Sequence, residues 1–197
     1  MRKVHVVENV TLDGVMQAPA SPEEDTRGGF AHGGWATPYQ DEVMLREMSG
    51  GFGTTDLLLG RRTYEQFFDF WPKQTEGNPF TEVLNATQKY VASRTLSEPL
   101  PWENSALLDG DAPDAVMRLK QQPGKDLVVL GSGELVGALL RDLLVDLITL
   151  SIHPISLGSG RRLFPDGVPL ASWRLTSSVP TTTGVVIATY ELVDAGG

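Results

Sequence analysis

Short runs rich in Val, Ile and Leu alternate along the chain with stretches of helical period, and Gly, Pro, Asp or Ser bounds each run. The clearest predicted strands cover residues 4–8, 56–59, 89–93, 126–130, 147–152 and 185–192. The last alternates throughout, with Val185, Ile187, Thr189 and Glu191 on one face and Val186, Ala188, Tyr190 and Leu192 on the other. Four helices fit between the runs. The first covers residues 38–48, with Pro38 where it begins and Gly50-Gly51 where it ends. The second follows Gly60 and gathers Tyr64, Phe67, Phe68 and Trp71 on one side before Pro72 stops it. The third opens with Asp111, Pro113 and Asp114, carries Ala112, Ala115, Val116 and Leu119 at helical spacing, and ends at Pro123-Gly124. The fourth follows Gly133, with Leu135, Leu139 and Leu143 on one stripe and Val136 and Leu140 beside it.

From Leu147 onward no helical period is left, so parallel β/α units give way to antiparallel strands. The expected fold class is α/β: a mixed, mostly parallel sheet flanked by about four helices, with antiparallel C-terminal strands. One domain over residues 1–197 is expected, with surface loops at 19–34, 73–79 and 156–169.

Composition narrows the function. Lys and Arg number 16 against 25 Asp and Glu, a formal charge of −9, which disfavours binding to a nucleic-acid backbone. Cysteine is absent, which removes disulfides, thiolate metal sites and a thiol nucleophile. The histidines His5, His32 and His153 are isolated, so no metal site is expected. Two basic residues near the N-terminus precede no apolar stretch of signal length, and a cytoplasmic location is expected.

Strand 126–130 runs into Gly131-Ser132-Gly133-Glu134 and then a helix, an order that turns free backbone amides and the positive end of the helix toward one concavity. With Gly137 the spacing is GxGxxxG, one residue off the dinucleotide fingerprint, and the acid expected at the tip of the next strand is replaced by Ser151-Ile152-His153. Taken alone, the glycines serve equally well as a packing turn. A second strand ends in Gly60-Arg61-Arg62-Thr63 and a third in Ser93-Arg94-Thr95. Ligands of open α/β sheets lie beyond the carboxyl ends of parallel strands, so these turns would bring three arginines, hydroxyls and a glycine nest to one edge of an acidic protein. Such a cluster matches the phosphates of NADP, including its 2′-phosphate. The alternative is that the arginines are solvated and pair with Glu65 or Asp69.

These residues resemble a known family. Gly60-Arg61-Arg62-Thr63-Tyr64-Glu65 is similar to the cofactor motif of dihydrofolate reductases, and Gly131-Ser132-Gly133 to their second glycine loop. Thr11-Leu12-Asp13-Gly14, together with His153-Pro154-Ile155 and the segment from Leu157 to Phe164, more closely resembles the reductase domain of the riboflavin-biosynthesis deaminase-reductase and its stand-alone bacterial relatives. The resemblance implies a dihydrofolate-reductase-like three-layer fold and NADPH-dependent hydride transfer to a pterin-like or pyrimidine-like heterocycle, of the dihydrofolate or riboflavin-precursor type. It also implies a homodimer. Carried over by position, Gly60, Arg61, Arg62 and Thr63 would hold adenosine-side phosphates, and Ser93 and Arg94 the 2′-phosphate. Gly131, Ser132, Gly133, Glu134 and Leu135 would form the pyrophosphate loop, while Asp13, Gly14 and Val15 border the nicotinamide on a mobile loop.

On the substrate side, Asp41, Met44, Leu45 and Met48 share one helical stripe, which makes Asp41 a candidate proton donor with a raised pKa; a first-turn acid stabilised by the helix dipole is the alternative. The position where dihydrofolate reductases carry their acid holds Gln40. Trp35, Tyr39 and Phe30 are candidates to stack on a flat ring, and Ser151 and His153 to face the same cleft. A reductase and a non-catalytic NADP(H)-binding protein both fit these residues.

Overall fold

The computed structural model describes residues 1–49, 51, 53–74 and 79–193; Gly50 of the expected helix-ending pair and residues 75–78 of the expected loop lie outside the described residues. In chain order the elements are β1 (Val4–Thr11), α1 (Glu42–Ser49), β2 (Asp56–Gly60), α2 (Arg61–Phe70), α3 (Pro79–Ala86), β3 (Lys89–Ala92), β4 (Ser105–Leu107), α4 (Ala112–Gln121), β5 (Leu127–Leu130), α5 (Gly133–Arg141), β6 (Leu147–His153), β7 (Ser172–Pro180) and β8 (Val186–Val193). The strands form one sheet in the order β4-β3-β2-β5-β1-β6-β8-β7. Six are mutually parallel, from β4 to β6 across the sheet. β8 and β7 are antiparallel, as the loss of helical period after Leu147 predicts.

Alternation assigns each side chain of the central strands to one of two helix layers. On one face Val4, Val6, Leu58, Leu127 and Val129 pack against Val116 and Leu119 of α4 and Leu135, Val136, Leu139 and Leu140 of α5. On the other, Leu57, Leu59 and Val91 meet Tyr64 of α2, Leu84 of α3 and Trp102. Central β2 is apolar at consecutive positions because both of its faces are covered.

Several sequence expectations need correction. β1 continues past Glu8 to Thr11, because β6 supplies a pairing partner from His5 through Thr11. The helix expected from Pro38 starts at Glu42: Thr37–Tyr39 forms a separate 3-10 turn, and Asp41 accepts the Met44 amide at 2.8 Å as an N-cap. Leu143 lies beyond the end of α5, in a left-handed conformation, rather than on its stripe. The loop at 19–34 is not a free surface excursion. Phe30, Trp35 and Ala36 close over Val15 and Ala18 as a small core of their own. Within this loop Gly33 folds back so close to the loop's start that a Cβ on it would lie 2.7 Å from the carbonyl oxygens of Ser21 and Pro22.

What positions a site is the unequal pairing of β1. Its ladder with β5 stops at Val7 and Leu130, whereas its ladder with β6 runs on to Thr11 and His153. Past Val7, β1 therefore has a sheet neighbour on one side, and β5 turns away through Gly131.

Candidate active site

The turns after β2 and β5 are tied together by one hydroxyl. Ser132 Oγ accepts the Gly60 amide at 2.8 Å and donates to Thr63 Oγ1 at 2.7 Å. Gly131 and Ser132 are consecutive left-handed residues, with φ of 69° and 73°. A serine held there costs on the order of 1 to 3 kcal/mol, and the two hydrogen bonds offset that strain. Gly60 is required by close approach, since a Cβ on it would lie 2.8 Å from Ser132 Oγ. Val136 is the first residue of α5 whose amide bonds back, to Ser132 O. The amides of Gly133, Glu134 and Leu135 are thus the orphan donors of the helix, at its positive end.

These turns open onto a cleft of about 1340 Å³ that Gly60, Arg61, Arg62, Thr63, Ser93, Arg94, Gly131, Ser132, Gly133, Glu134, Leu135 and Ser151 all line. The three strand ends do converge. Not every group in them is free. Arg61 pairs with Glu65 at 3.1 Å, as the solvated-arginine reading has it, and exposed Arg94 lies 3.5 Å from Asp111. Ser93 Oγ accepts the amides of Thr95 and Leu96, so it shapes the turn after β3. Arg62 has no ion-pair partner among the described residues. Two further cations, Arg27 and Arg161, converge on Glu134 at 2.9 and 3.0 Å and hold its carboxyl below the ordinary glutamate range. Arg161 lies in the segment quoted for the family resemblance, but no sequence signal marks Arg27.

Several candidates are placed elsewhere. Asp41 does not line the cleft; its Oδ2 accepts the amide and hydroxyl of Thr182 at 2.6 Å, and with the Met44 amide these bonds hold it down to about 2. The raised pKa expected of a proton donor is overturned, and because α1 begins at Glu42, Asp41 is not the expected first-turn acid either: it caps the helix from the position before it. Asp13 also lies outside the lining. It accepts the Thr11 hydroxyl at 2.6 Å and the amides of Leu157 and Gly158, which pins the turn after β1 to the loop after β6 and holds the carboxyl down to about 2. Gly14 completes that turn at φ 80°, its amide donating to Thr11 O at 2.9 Å.

Trp35 is buried, donates Nε1–H to Gln17 O at 2.8 Å and sets its edge against His153, so it packs within the protein instead of presenting a stacking face to the cleft. His153 is fully buried and stands behind the cleft, its Nε2 3.0 Å from Oδ1 of Asn9. Burial lowers its pKa to about 4, so the ring is neutral. Asn9, which does line the cleft, is the residue that His153 orients. Ser151 is Asn9's register partner on β6 and lines the cleft as expected.

Sequence reasoning missed Glu8. It lines the cleft, is 5% exposed, and its Oε1 is buried without a hydrogen-bond partner among the described residues. Burial, with a smaller push from the charge of Glu24, raises its pKa to about 8. The signal was present: positions 4, 6, 8 and 10 alternate as Val, Val, Glu, Val, which places one carboxyl on the apolar face.

A mixed eight-stranded sheet between helix layers, with paired glycine turns at the carboxyl ends of its parallel strands, has the dihydrofolate-reductase-like fold. Solved structures that share it include these three. A putative riboflavin biosynthesis protein from Shewanella sp. PV-4 is 21% identical with a TM-score of 0.69, covering 97% of this chain and 99% of that one. A pyrimidine reductase-like protein from Corynebacterium diphtheriae is 12% identical, TM-score 0.63, covering 98% and 92%. Dihydrofolate reductase from Enterococcus faecalis, complexed with NADP(H) and RAB-propyl, is 14% identical, TM-score 0.61, covering 98% and 97%. Sequence is more specific: residues 2–187 match the RibD C-terminal domain, and the chain belongs to this oxidoreductase-like family. The uncharacterised protein YyaP of Bacillus subtilis (strain 168) is 31% identical over 138 residues, 68% of this chain and 72% of that protein.

Proposed function

We propose that this chain is an NADPH-dependent reductase that delivers a hydride to a flat pyrimidine-like or pterin-like heterocycle. The observation that carries the reading is the convergence of the Gly60–Thr63 turn, the left-handed Gly131-Ser132 turn and the Ser93-Arg94 turn on one cleft. Orphan amides of Gly133, Glu134 and Leu135 fit a pyrophosphate. Arg61, Arg62 and Thr63 fit the adenosine-side phosphates, and exposed Arg94, beside the Ser93 turn, fits a 2′-phosphate. Asn9 and Ser151 offer hydrogen bonds to a heterocycle on the neighbouring part of the floor.

When bound, the dinucleotide supplies the hydride; the chain supplies alignment and a dry floor. Val7, Leu57, Val128 and Ile187 make that floor apolar, which favours a planar ring and excludes water from the reacting carbons. His153 holds Asn9 in one rotamer, and the cross-chain bonds of Asp13 hold the turn that follows β1.

The test is a fluorescence titration of the protein with NADPH and NADH. NADPH is expected to bind more tightly, and Arg94→Ala to reduce the preference by about tenfold, the loss of one charge-assisted contact. Equal affinity of the wild type for both cofactors would contradict the 2′-phosphate site. Oxidation of NADPH in the presence of dihydrofolate, the riboflavin precursor or flavins then tests for turnover.

A further inference from the structure

Glu8 stands at the first position of β1 past its last pair with β5, beside the slot left where Gly131 turns β5 away. Its carboxyl is almost wholly buried, faces the cleft and leaves Oε1 without a partner. Its neighbours offer it little. The strand partner on β6 is Leu150, and on the cleft wall Met16 contributes a thioether. Among the charged groups around it, Glu24 acts on it and has the same sign, while Asp25, Arg27, Arg161 and Glu134 are engaged with one another at the cleft mouth. His5 also lines the cleft, but from the opposite face of β1, which it shares with Val7 and Asn9 and where it bonds Thr149. Among the described residues no cation pairs with Glu8, so the uncharged acid is the form this pocket accepts. A carboxylic acid has one donor and one acceptor side by side. The complementary ligand edge is an amide, whose N–H and C=O sit at the same spacing.

We infer that the Glu8 carboxyl is a two-point binding group for the amide edge of a ring seated in the cleft, one oxygen accepting from N–H while the other donates to C=O. The inference rests on the reductase reading for what occupies the cleft. Amide edges of this kind come from two sources there: the carboxamide of a nicotinamide and the lactam of a pyrimidine or pterin.

Calorimetric titrations of the full chain distinguish them. The probes are NADPH, lumazine as a free lactam, and adenosine 2′,5′-bisphosphate, which has the phosphates but no amide edge. At least one amide probe is expected to bind Glu8→Leu about tenfold more weakly than wild type. With wild type, its affinity is expected to fall about tenfold per pH unit above about pH 8, as Glu8 loses its proton. Glu8→Gln, which keeps a donor and an acceptor in the same shape, is expected to retain affinity within a few-fold and to lose that pH dependence. The bisphosphate is expected to be indifferent to all three changes. Dependence confined to NADPH assigns the carboxamide, and dependence confined to lumazine assigns the lactam.

The inference is overturned if both amide probes bind Glu8→Leu as well as wild type, if wild-type affinity is flat across this pH range, or if neither amide probe binds at all. Should Glu8→Leu fail to fold, the pH arm on wild type and Glu8→Gln decides. Failure of the reductase reading looks different: the bisphosphate and NADPH both fail to bind, whatever lumazine does.

Discussion

Glu8 and His153 lie on adjacent strands, both uncharged at neutral pH, and they tilt stability in opposite directions. The folded protein keeps the Glu8 proton to about pH 8, whereas a free glutamate releases it near 4.5. The contribution of Glu8 is therefore full below the lower value, declines as pH rises through this window and is lost above it. At about 1.4 kcal/mol per unit, the swing is of order 5 kcal/mol. For His153 the folded value is about 4 against 6.5, so its contribution is full above 6.5 and is lost as pH falls through about 4. Below about pH 6.5 the two contributions oppose each other, so urea midpoints of the wild type are expected to fall between about pH 6.5 and pH 8, while those of Glu8→Gln stay level there. A wild-type midpoint that does not move over this range would show that Glu8 ionises like an exposed glutamate. Both residues could be located from sequence only up to a point. Alternation along β1 marks Glu8 as a carboxyl on an apolar face, and the end of strand 147–152 marks His153 as near the sheet edge. Which of them opens onto the cleft depends on Asn9 standing between His153 and the cavity, a contact made across strands 144 positions apart.

At the scale of elements, the turn after β5 makes a sharper prediction than its glycines do. Ser132→Ala keeps the left-handed strain and loses both hydrogen bonds, so it is expected to destabilise by about 2 kcal/mol. Ser132→Gly loses the same bonds but relieves the strain, and is expected to be the milder of the two by about 1 kcal/mol. Thermal melts would check the order, and an alanine variant at least as stable as the glycine variant would mean that φ of 73° does not strain Ser132. The same turn shows what local pattern can and cannot reveal. Strand, glycines and following helix were all legible, because each is a local signal. Three elements were not. β4 has three residues, too few for a period to register. α3 covers eight residues directly after a Gly- and Pro-containing stretch that reads as loop. β7 is exposed along much of its length and its register slips between Leu175 and Ser177, so its alternation is both weak and interrupted. Asp41 belongs with these cases: a first-turn acid and an acid on an apolar stripe look alike until Thr182 arrives from the hairpin between β7 and β8.

For the whole molecule, a formal charge of −9 coexists with seven arginines, Arg27, Arg61, Arg62, Arg94, Arg141, Arg161 and Arg162, along one cleft. Several are partly neutralised by Glu65, Asp111 and Glu134 in exposed pairs, each worth less than about 1 kcal/mol, whereas half-buried Arg27 is also forked onto Asp25. A phosphate that enters the cleft therefore displaces weak partners and meets little resistance from them. Outside the cleft, the acidic surface repels the same ligand, so binding depends on a local field working against a global one. That balance is set by ionic strength. Screening shortens the reach of exposed charges from about 10 Å at 0.1 M salt to about 3 Å at 1 M. On the proposed reading the 2′-phosphate would meet Arg94 in solvent and the pyrophosphate would meet fixed amides at the start of α5, so the first is expected to be screened more than the second. Raising salt from about 0.05 to 0.5 M should weaken NADPH by roughly tenfold and NADH by a smaller factor, so the preference for NADPH narrows. Arg94→Ala should bring the two salt slopes together, because the contact that separates them is gone. Fluorescence titrations of both cofactors across that salt range make the check, and parallel slopes in the wild type would mean that the extra phosphate does not sit at Arg94.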